Sequence, residues 1–269
     1  MPLQRITAAF AETTPAPAPG GMVTPARPLL NVYVTAGYPE RESTGELLRA
    51  LSDAGVDFIE LGMPYSDPLA DGETIQRSSA RALAGGITLE RIFEQVAEAR
   101  ADVAPPIILM GYYNQVLRFG RERFLDRCVE AGVDGLILPD LPLEIYGAEF
   151  ADALAERDLG ISFLVTPRTP DDRVRRIDGL CRGFLYVVSS SSTTGNADAR
   201  REGSEAYFAR LAGMGLRSPR LIGFNISDAA SLAATVPHAA GGIIGSAFIR
   251  SLDERDPVGS ARRFVAGLR

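Results

Sequence analysis

Eight short apolar runs recur along the 269-residue chain, and they constrain the fold more than any other feature. They are LLNVYV (29–34), VDFIEL (56–61), PIILM (106–110), VDGLIL (133–138), ISFLV (161–165), FLYVVS (184–189), RLIGF (220–224) and GGIIG (241–245). Each is rich in β-branched side chains and bounded by Gly or Pro, which is the pattern of a parallel strand buried on both faces. Segments with helical spacing fill the gaps. In RESTGELLRALSDAG, Leu47, Leu48, Leu51 and Ala54 share a face and Gly55 stops the helix. TLERIFEQVAEARADV opens on Thr88, an N-cap residue type, and RERFLDRCVEAG stops at Gly132. PLEIYGAEFADALAERD, TPDDRVRRIDGL, SEAYFARLAG and SDAASLAAT supply the later helices.

Strand and helix alternating eight times predict a (β/α)8 barrel covering the whole chain as one domain, residues 1–269. Within it, residues 1–27 hold a helix, LQRITAAF, that closes the base of the barrel, and an Ala/Pro-rich linker, ETTPAPAPGG; residues 28–269 form the barrel. An open doubly wound sheet is the competitor. It calls for a glycine fingerprint after the first strand, where this chain has VTAGYPE.

In a barrel, chemistry sits at the C-terminal ends of the strands and on the loops that follow. The second run ends in Glu60. Alternation puts Phe58 and Glu60 on one face and Ile59 and Leu61 on the other. With Ile59 and Leu61 toward the helices, Glu60 points into the barrel mouth, where loss of water raises a carboxyl pKa and suits it to proton transfer. The alternative is a structural carboxylate that caps backbone amides. The next loop, MPYSDPLADGET, is stiffened by Pro64 and Pro68 and turned by Asp71-Gly72. Asp67 and Asp71 read either as turn formers or, beside an inward glutamate, as further acids, with Asp71 the second acid of a pair.

Two absences narrow the chemistry. All 28 basic residues are arginine, so the chain cannot form a lysine imine, link pyridoxal phosphate or build a Walker-type phosphate loop. The single histidine, His238, lies in TVPHAAGG and reads as a loop residue, which argues against a histidine zinc site or a Ser-His-Asp triad. Cys128 and Cys181 have no metal or redox spacing and read as small buried hydrophobes. Carboxylates, hydroxyls and tyrosines remain to carry a reaction. A net charge of −6 without basic runs argues against nucleic acid or an anionic membrane surface. No apolar run is long enough to span a bilayer, and the first residues lack a secretory h-region, so the expected location is the cytoplasm.

Three late loops offer small residues to an anion: SSSSTTGN (189–196), GFNISD (223–228) and GSAFIR (245–250). The loops after the seventh and eighth strands are the usual phosphate seat of this fold, and Gly245-Ser246 at a helix start fits it. A Ser/Gly loop alone is weak; three at one end of a barrel are a stronger indication.

Together, IELGMPYSDPLADGETIQ, VYVTAGYP, ILPDLP, YVVSSSSTTG and GGIIGSAF resemble the α subunit of tryptophan synthase, from about Leu29 to the last helix. The resemblance implies cofactor-free retro-aldol cleavage of indole-3-glycerol phosphate to indole and glyceraldehyde 3-phosphate. It implies Glu60 as the acid/base at indole C3 and the glycerol hydroxyl, and Asp71 as the carboxylate on the indole N–H. Tyr186, Tyr33, Met110, Ile75 and Ile137 would line the substrate site. Thr194 would end a mobile loop and meet Asp71, and Gly195, Gly223, Asn225, Gly245 and Ser246 would cradle the phosphate. Asn225 stands where the family often has glycine; asparagine tolerates left-handed backbone angles. Tyr33 adds a hydroxyl to a wall that is often phenylalanine, and SSSSTTG lacks an arginine found in some relatives. The resemblance further implies no metal, no cofactor, and a partner: the pyridoxal-phosphate-dependent β subunit in an α2β2 complex, faced by Asp67, Pro68 and Asn114. A stand-alone lyase that frees indole, another phosphosugar enzyme and a silent barrel that activates a partner are the rival readings.

Overall fold

The structure, a computed structural model, describes residues 1–11, 27–69, 71–188, 197–223 and 226–269. Each of the eight apolar runs forms a strand: β1 Leu29–Thr35, β2 Phe58–Gly62, β3 Ile107–Met110, β4 Gly135–Ile137, β5 Gly160–Val165, β6 Leu185–Val188, β7 Arg220–Gly223 and β8 Gly241–Ile244. They pair in parallel in chain order, and β1 pairs with β8 from Leu29–Gly241 to Val32–Ile244, closing the barrel. The expected (β/α)8 architecture is therefore observed.

Alternation sorts the side chains as read from the sequence. Phe58, Ile108, Ile137, Phe184 and Leu221 point inward and form one interior cluster. Ile59 and Leu61 join the larger layer between strands and helices. Thr88 caps the helix Leu89–Ala99 by accepting the Arg91 N–H at 3.2 Å, and the helix Arg121–Ala131 ends at Gly132. The segment read as one helix over 142–158 is instead broken: a single turn at Leu143–Ile145, a wide turn at Tyr146–Phe150, then Ala151–Glu156. The helix Glu73–Ala84 lies in a stretch without apolar helical spacing. Its buried face carries Ser78 and Ser79 beside Ala82, a pattern that apolar periodicity cannot detect.

The opening segment does close the base. The helix Pro2–Ala11 buries Ile6 in the interior cluster, and its Phe10 ring packs 4.9 Å from Phe58, which in turn meets Phe184 at 5.8 Å. Arg5 Nε donates to Asp134 Oδ1 at 2.6 Å, just before β4. The Ala/Pro linker lies outside the described residues. Cys128 is fully buried and Cys181 partly so, each a free thiol. His238 sits in the turn segment before β8, its ring 5.0 Å from that of Phe208. Among the described residues, no helix is long and apolar enough to cross a membrane.

Candidate active site

A cavity of about 540 Å³ opens at the C-terminal ends of the strands. Its polar wall holds Glu60 from β2, Tyr33 from β1, Tyr186 from β6 and Asp71 from the loop after β2. Ile75, Met110, Leu164, Ile226 and Ile243 make its apolar wall. Gly245, Ser246, Ala247, Ser227 and Arg250 form a third wall, where the helix Ser246–Ser251 starts directly after β8.

Glu60 is 1% exposed and sits opposite Tyr33 in the β1–β2 ladder and Ile108 in the β2–β3 ladder. Its Oε2 accepts a hydrogen bond from Asn31 Nδ2 at 3.3 Å. Burial, reinforced by the nearby Asp71 charge and only partly offset by the Asn31 donor, pushes its carboxyl up to about 8. A glutamate so placed holds a proton near neutral pH and can both give and take one.

Asp71 is held from several sides. Tyr112 Oη donates to its Oδ2 at 3.0 Å, and Gln76 Nε2 donates to its backbone carbonyl at 2.7 Å. Tyr112 Oη also accepts the Leu69 N–H at 3.1 Å, so one phenol pins both parts of the loop. Its ring stacks on Tyr65 at 5.0 Å. Burial lifts the Asp71 carboxyl above the usual aspartate range while the Tyr112 bond pulls it back. Two carboxyls thus face one cavity with unequal support, which pushes their protonation apart.

Both wall tyrosines depend on a glycine next door. A Cβ on Gly62 would stand 2.0 Å from the Tyr33 hydroxyl, and one on Gly223 would stand 2.2 Å from Tyr186 Cε1. Each strand end gives up its side chain so that a phenol from the neighbouring strand can lie across it. Burial drives both phenols to hold their protons far beyond neutral pH, so they act as neutral hydrogen-bonding walls.

Of the residues expected from sequence, the cavity brings together Glu60, Asp71, Tyr186, Tyr33, Met110, Ile75, Gly245 and Ser246. Ile137 is placed elsewhere: it pairs with Met110 in register, is fully buried in the interior cluster and does not line the cavity. Gly223 likewise lies under Tyr186 rather than on the wall. Thr194, Gly195 and Asn225 lie outside the described residues. Asn31, Tyr112, Gly62, Leu164, Ile226, Ser227 and Arg250 were not anticipated. For Asn31 a signal existed, a polar residue inside LLNVYV on the same face as Tyr33.

Comparisons with known proteins place the sequence and the fold. A sequence profile of the tryptophan synthase alpha chain matches residues 22–264. The alpha chain of Christiangramia forsetii is 45% identical over 226 residues, 84% of this chain and 88% of the relative. That of Parabacteroides distasonis is 43% identical over 242 residues, 90% and 94%. The crystal structure of tryptophan synthase subunit alpha from Legionella pneumophila superimposes with a TM-score of 0.84 at 30% identity, covering 98% of this chain and 96% of that one. Profile, relatives and barrel converge on one conclusion: the chain belongs to the tryptophan synthase alpha chain family.

Proposed function

We propose that the cavity cleaves indole-3-glycerol phosphate to indole and glyceraldehyde 3-phosphate, with Glu60 as acid and base and Asp71 as the partner of the indole N–H. The observation that carries this is the pairing of a buried, proton-holding Glu60 with a separately anchored Asp71 on one cavity wall. Protonated Glu60 gives its proton to indole C3, which places positive charge on the ring nitrogen. Asp71 accepts the N–H and steadies that charge. The Glu60 carboxylate then takes the proton from the hydroxyl on the adjacent glycerol carbon. The bond between that carbon and C3 breaks, its electron pair returns to the ring, and the carbon becomes an aldehyde. Glu60 ends protonated, as it began, so no co-reactant is consumed.

The apolar wall of Ile75, Met110, Leu164 and Ile226 suits the indole ring, and Tyr33 and Tyr186 frame the reacting atoms. The wall of Gly245, Ser246 and Ser227 would seat the phosphate through backbone and hydroxyl donors, with Gly195 and Asn225 completing it and Thr194 closing toward Asp71. Ile137 would support the indole wall from behind Met110.

The same reading supplies a partner. Asp67 and the half-buried Pro68 on the loop after β2 lie near Asn114, which belongs to the helix Tyr113–Phe119 rather than to a loop; Asn114 Nδ2 donates to the Tyr65 hydroxyl at 3.0 Å. Leu69 and Leu117, 83% and 50% exposed, add apolar surface there. This face would dock the pyridoxal-phosphate-dependent β subunit in an α2β2 complex, which passes indole on before it escapes. Incubating the chain with indole-3-glycerol phosphate and following indole, with and without a β subunit, tests the proposal. Indole release, raised by the β subunit, is expected. No release in either case would overturn it, and release that the β subunit leaves unchanged would favour a stand-alone lyase.

A further inference from the structure

Among the described residues, Asn31 is the one buried polar side chain hydrogen-bonded to Glu60, and the proposed chemistry leaves it unused. It stands on β1 two residues before Tyr33, so it shares that inward face, and it is fully buried. Its partners across the ladders, Phe58 on β2 and Ile243 on β8, are apolar. A carboxamide among them destabilises the fold unless its groups are bonded. One end is bonded, Nδ2 to Glu60 Oε2. The other end is not: Oδ1 is buried and meets no donor among the described residues. A core that needed only volume here would take leucine.

A carboxamide carries donors on one end and an acceptor on the other, within nearly the same outline. A half-turn of the amide plane exchanges them. A carboxylate needs a donor; a carboxylic acid offers its own proton and needs an acceptor. Resting on the acid/base role given to Glu60 above, that side chain passes through both forms in every turnover. We propose that Asn31 is a positioning residue for Glu60, donating from Nδ2 to the carboxylate and turning Oδ1 to the carboxylic acid, so that one side chain keeps the glutamate aimed through both proton transfers. The observed contact is the carboxylate half of that exchange. The unbonded Oδ1 is the atom that the acid half engages.

Among the described residues, Asn31 is the one neighbour hydrogen-bonded to Glu60. The titratable groups coupled to Glu60 are Asp71 from the loop after β2, Tyr33 from β1 and Tyr186 from β6. Asp71 repels its charge, while Tyr33 and Tyr186 keep their protons and make no hydrogen bond to it. From β3 the facing residue is Ile108, which offers neither donor nor acceptor. Arg250, the cation on the cavity wall, is exposed at the start of the phosphate end. Asn31 alone among these favours the ionised form.

The test sets Asn31→Leu, which keeps the branched outline and removes both polar ends, beside Asn31→Thr, which restores a hydroxyl able to donate and accept. Asn31→Leu is expected to lower kcat for indole release about tenfold with KM changed by less than about twofold. It should also move the alkaline limb of kcat/KM to higher pH by about half a pH unit, because the donor that favours the carboxylate is gone. Threonine should recover part of kcat and return the limb toward the parent. A leucine that merely loosened the core would lower Tm and the folded fraction yet leave the limb of the remaining activity in place. A folded leucine variant with the parent's kcat and limb overturns the proposal, as does a threonine variant no better than leucine. If leucine fails to fold, Asn31→Val, smaller and equally without polar ends, takes its place with the same expectations. Glu60→Gln separates the two layers of the argument. Should its residual activity keep the alkaline limb, the acid/base reading of Glu60 fails; should the limb vanish there but persist unmoved in Asn31→Leu, only the role of Asn31 fails.

Discussion

Glu60 and Asp134 are the two most deeply buried carboxyl groups among the described residues, one at each end of the barrel, and the chain treats them differently. Asp134, at the base before β4, is bonded to Arg5 Nε at 2.6 Å and paired with Arg100 Nη1 at 3.3 Å. It also accepts the Ile107 N–H at 2.8 Å. Glu60, at the mouth, has one neutral amide donor at 3.3 Å and a second carboxyl nearby. Burial lifts both carboxyls, but two guanidiniums and a backbone amide oppose it at Asp134, whereas a like charge adds to it at Glu60. The first arrangement fastens the N-terminal helix to the barrel floor. The second keeps a proton available. Burial sets the electrostatic cost, and the donors around the group decide whether it becomes a fastening or a reagent.

The largest effect should come from removing the reagent. Glu60→Gln is expected to slow indole release by about 10²–10⁴-fold while the fold survives, measured in steady state. Stability should change as well. Folding raises this carboxyl from the ordinary glutamate value of 4.5 to about 8, so the folded chain keeps a proton that the unfolded chain releases between them. The parent therefore loses stability as pH climbs through that window, and Glu60→Gln should lose less, as urea midpoints at either end would reveal. Removing the fastening should do the reverse. Asp134→Ala removes the carboxylate partner of the half-exposed Arg5 and of Arg100, which keeps its backbone carbonyl acceptors, and leaves the Ile107 amide without its acceptor; it should cost about 2–3 kcal/mol in urea unfolding, with kcat per folded molecule unchanged.

The pH profile sharpens the contrast. The alkaline limb of kcat/KM should fall near pH 8, where Glu60 loses the proton that the proposed mechanism has it donate. The acid limb should lie above the usual aspartate range, because burial raises Asp71 and the proposed mechanism needs it ionised. Tyr112→Phe removes the donor that restrains Asp71 and should move only the acid limb, to higher pH, at a stability cost of about 1 kcal/mol. Smallest of all, Arg77→Ala breaks an exposed pair with Glu73 on the helix Glu73–Ala84 and should change stability by less than about 0.5 kcal/mol.

Much of this contrast was legible before any coordinates. The eight strands were readable because each is an apolar run closed by Gly or Pro, and the inward aim of Glu60 followed from alternation with Phe58. Base closure by the first helix was readable from its position ahead of β1. The contacts that give each carboxyl its character were not. Tyr112 reaches Asp71 across 41 residues, and Arg5 reaches Asp134 across 129. Such meetings depend on how neighbouring strands are staggered, and a one-residue slip would reassign every inward side chain. Ile137 shows the same limit: the resemblance put it on the substrate wall, but it pairs with Met110 and is buried in the interior cluster short of the cavity. The 142–158 segment was read as one helix because periodicity is blind to a local widening of the turn.

The seam between β1 and β8 bears on how the molecule comes into being. During synthesis the first strand keeps one flank of amides and carbonyls unmatched until the eighth has been made, and such a flank invites misassociation. By then the polypeptide already contains Glu60, Asp71 and Tyr112, but not the wall that begins at Gly245. A nascent chain thus holds both carboxyls long before the third wall of the cavity, and the proposed site is complete only once the residues after the last strand have been made.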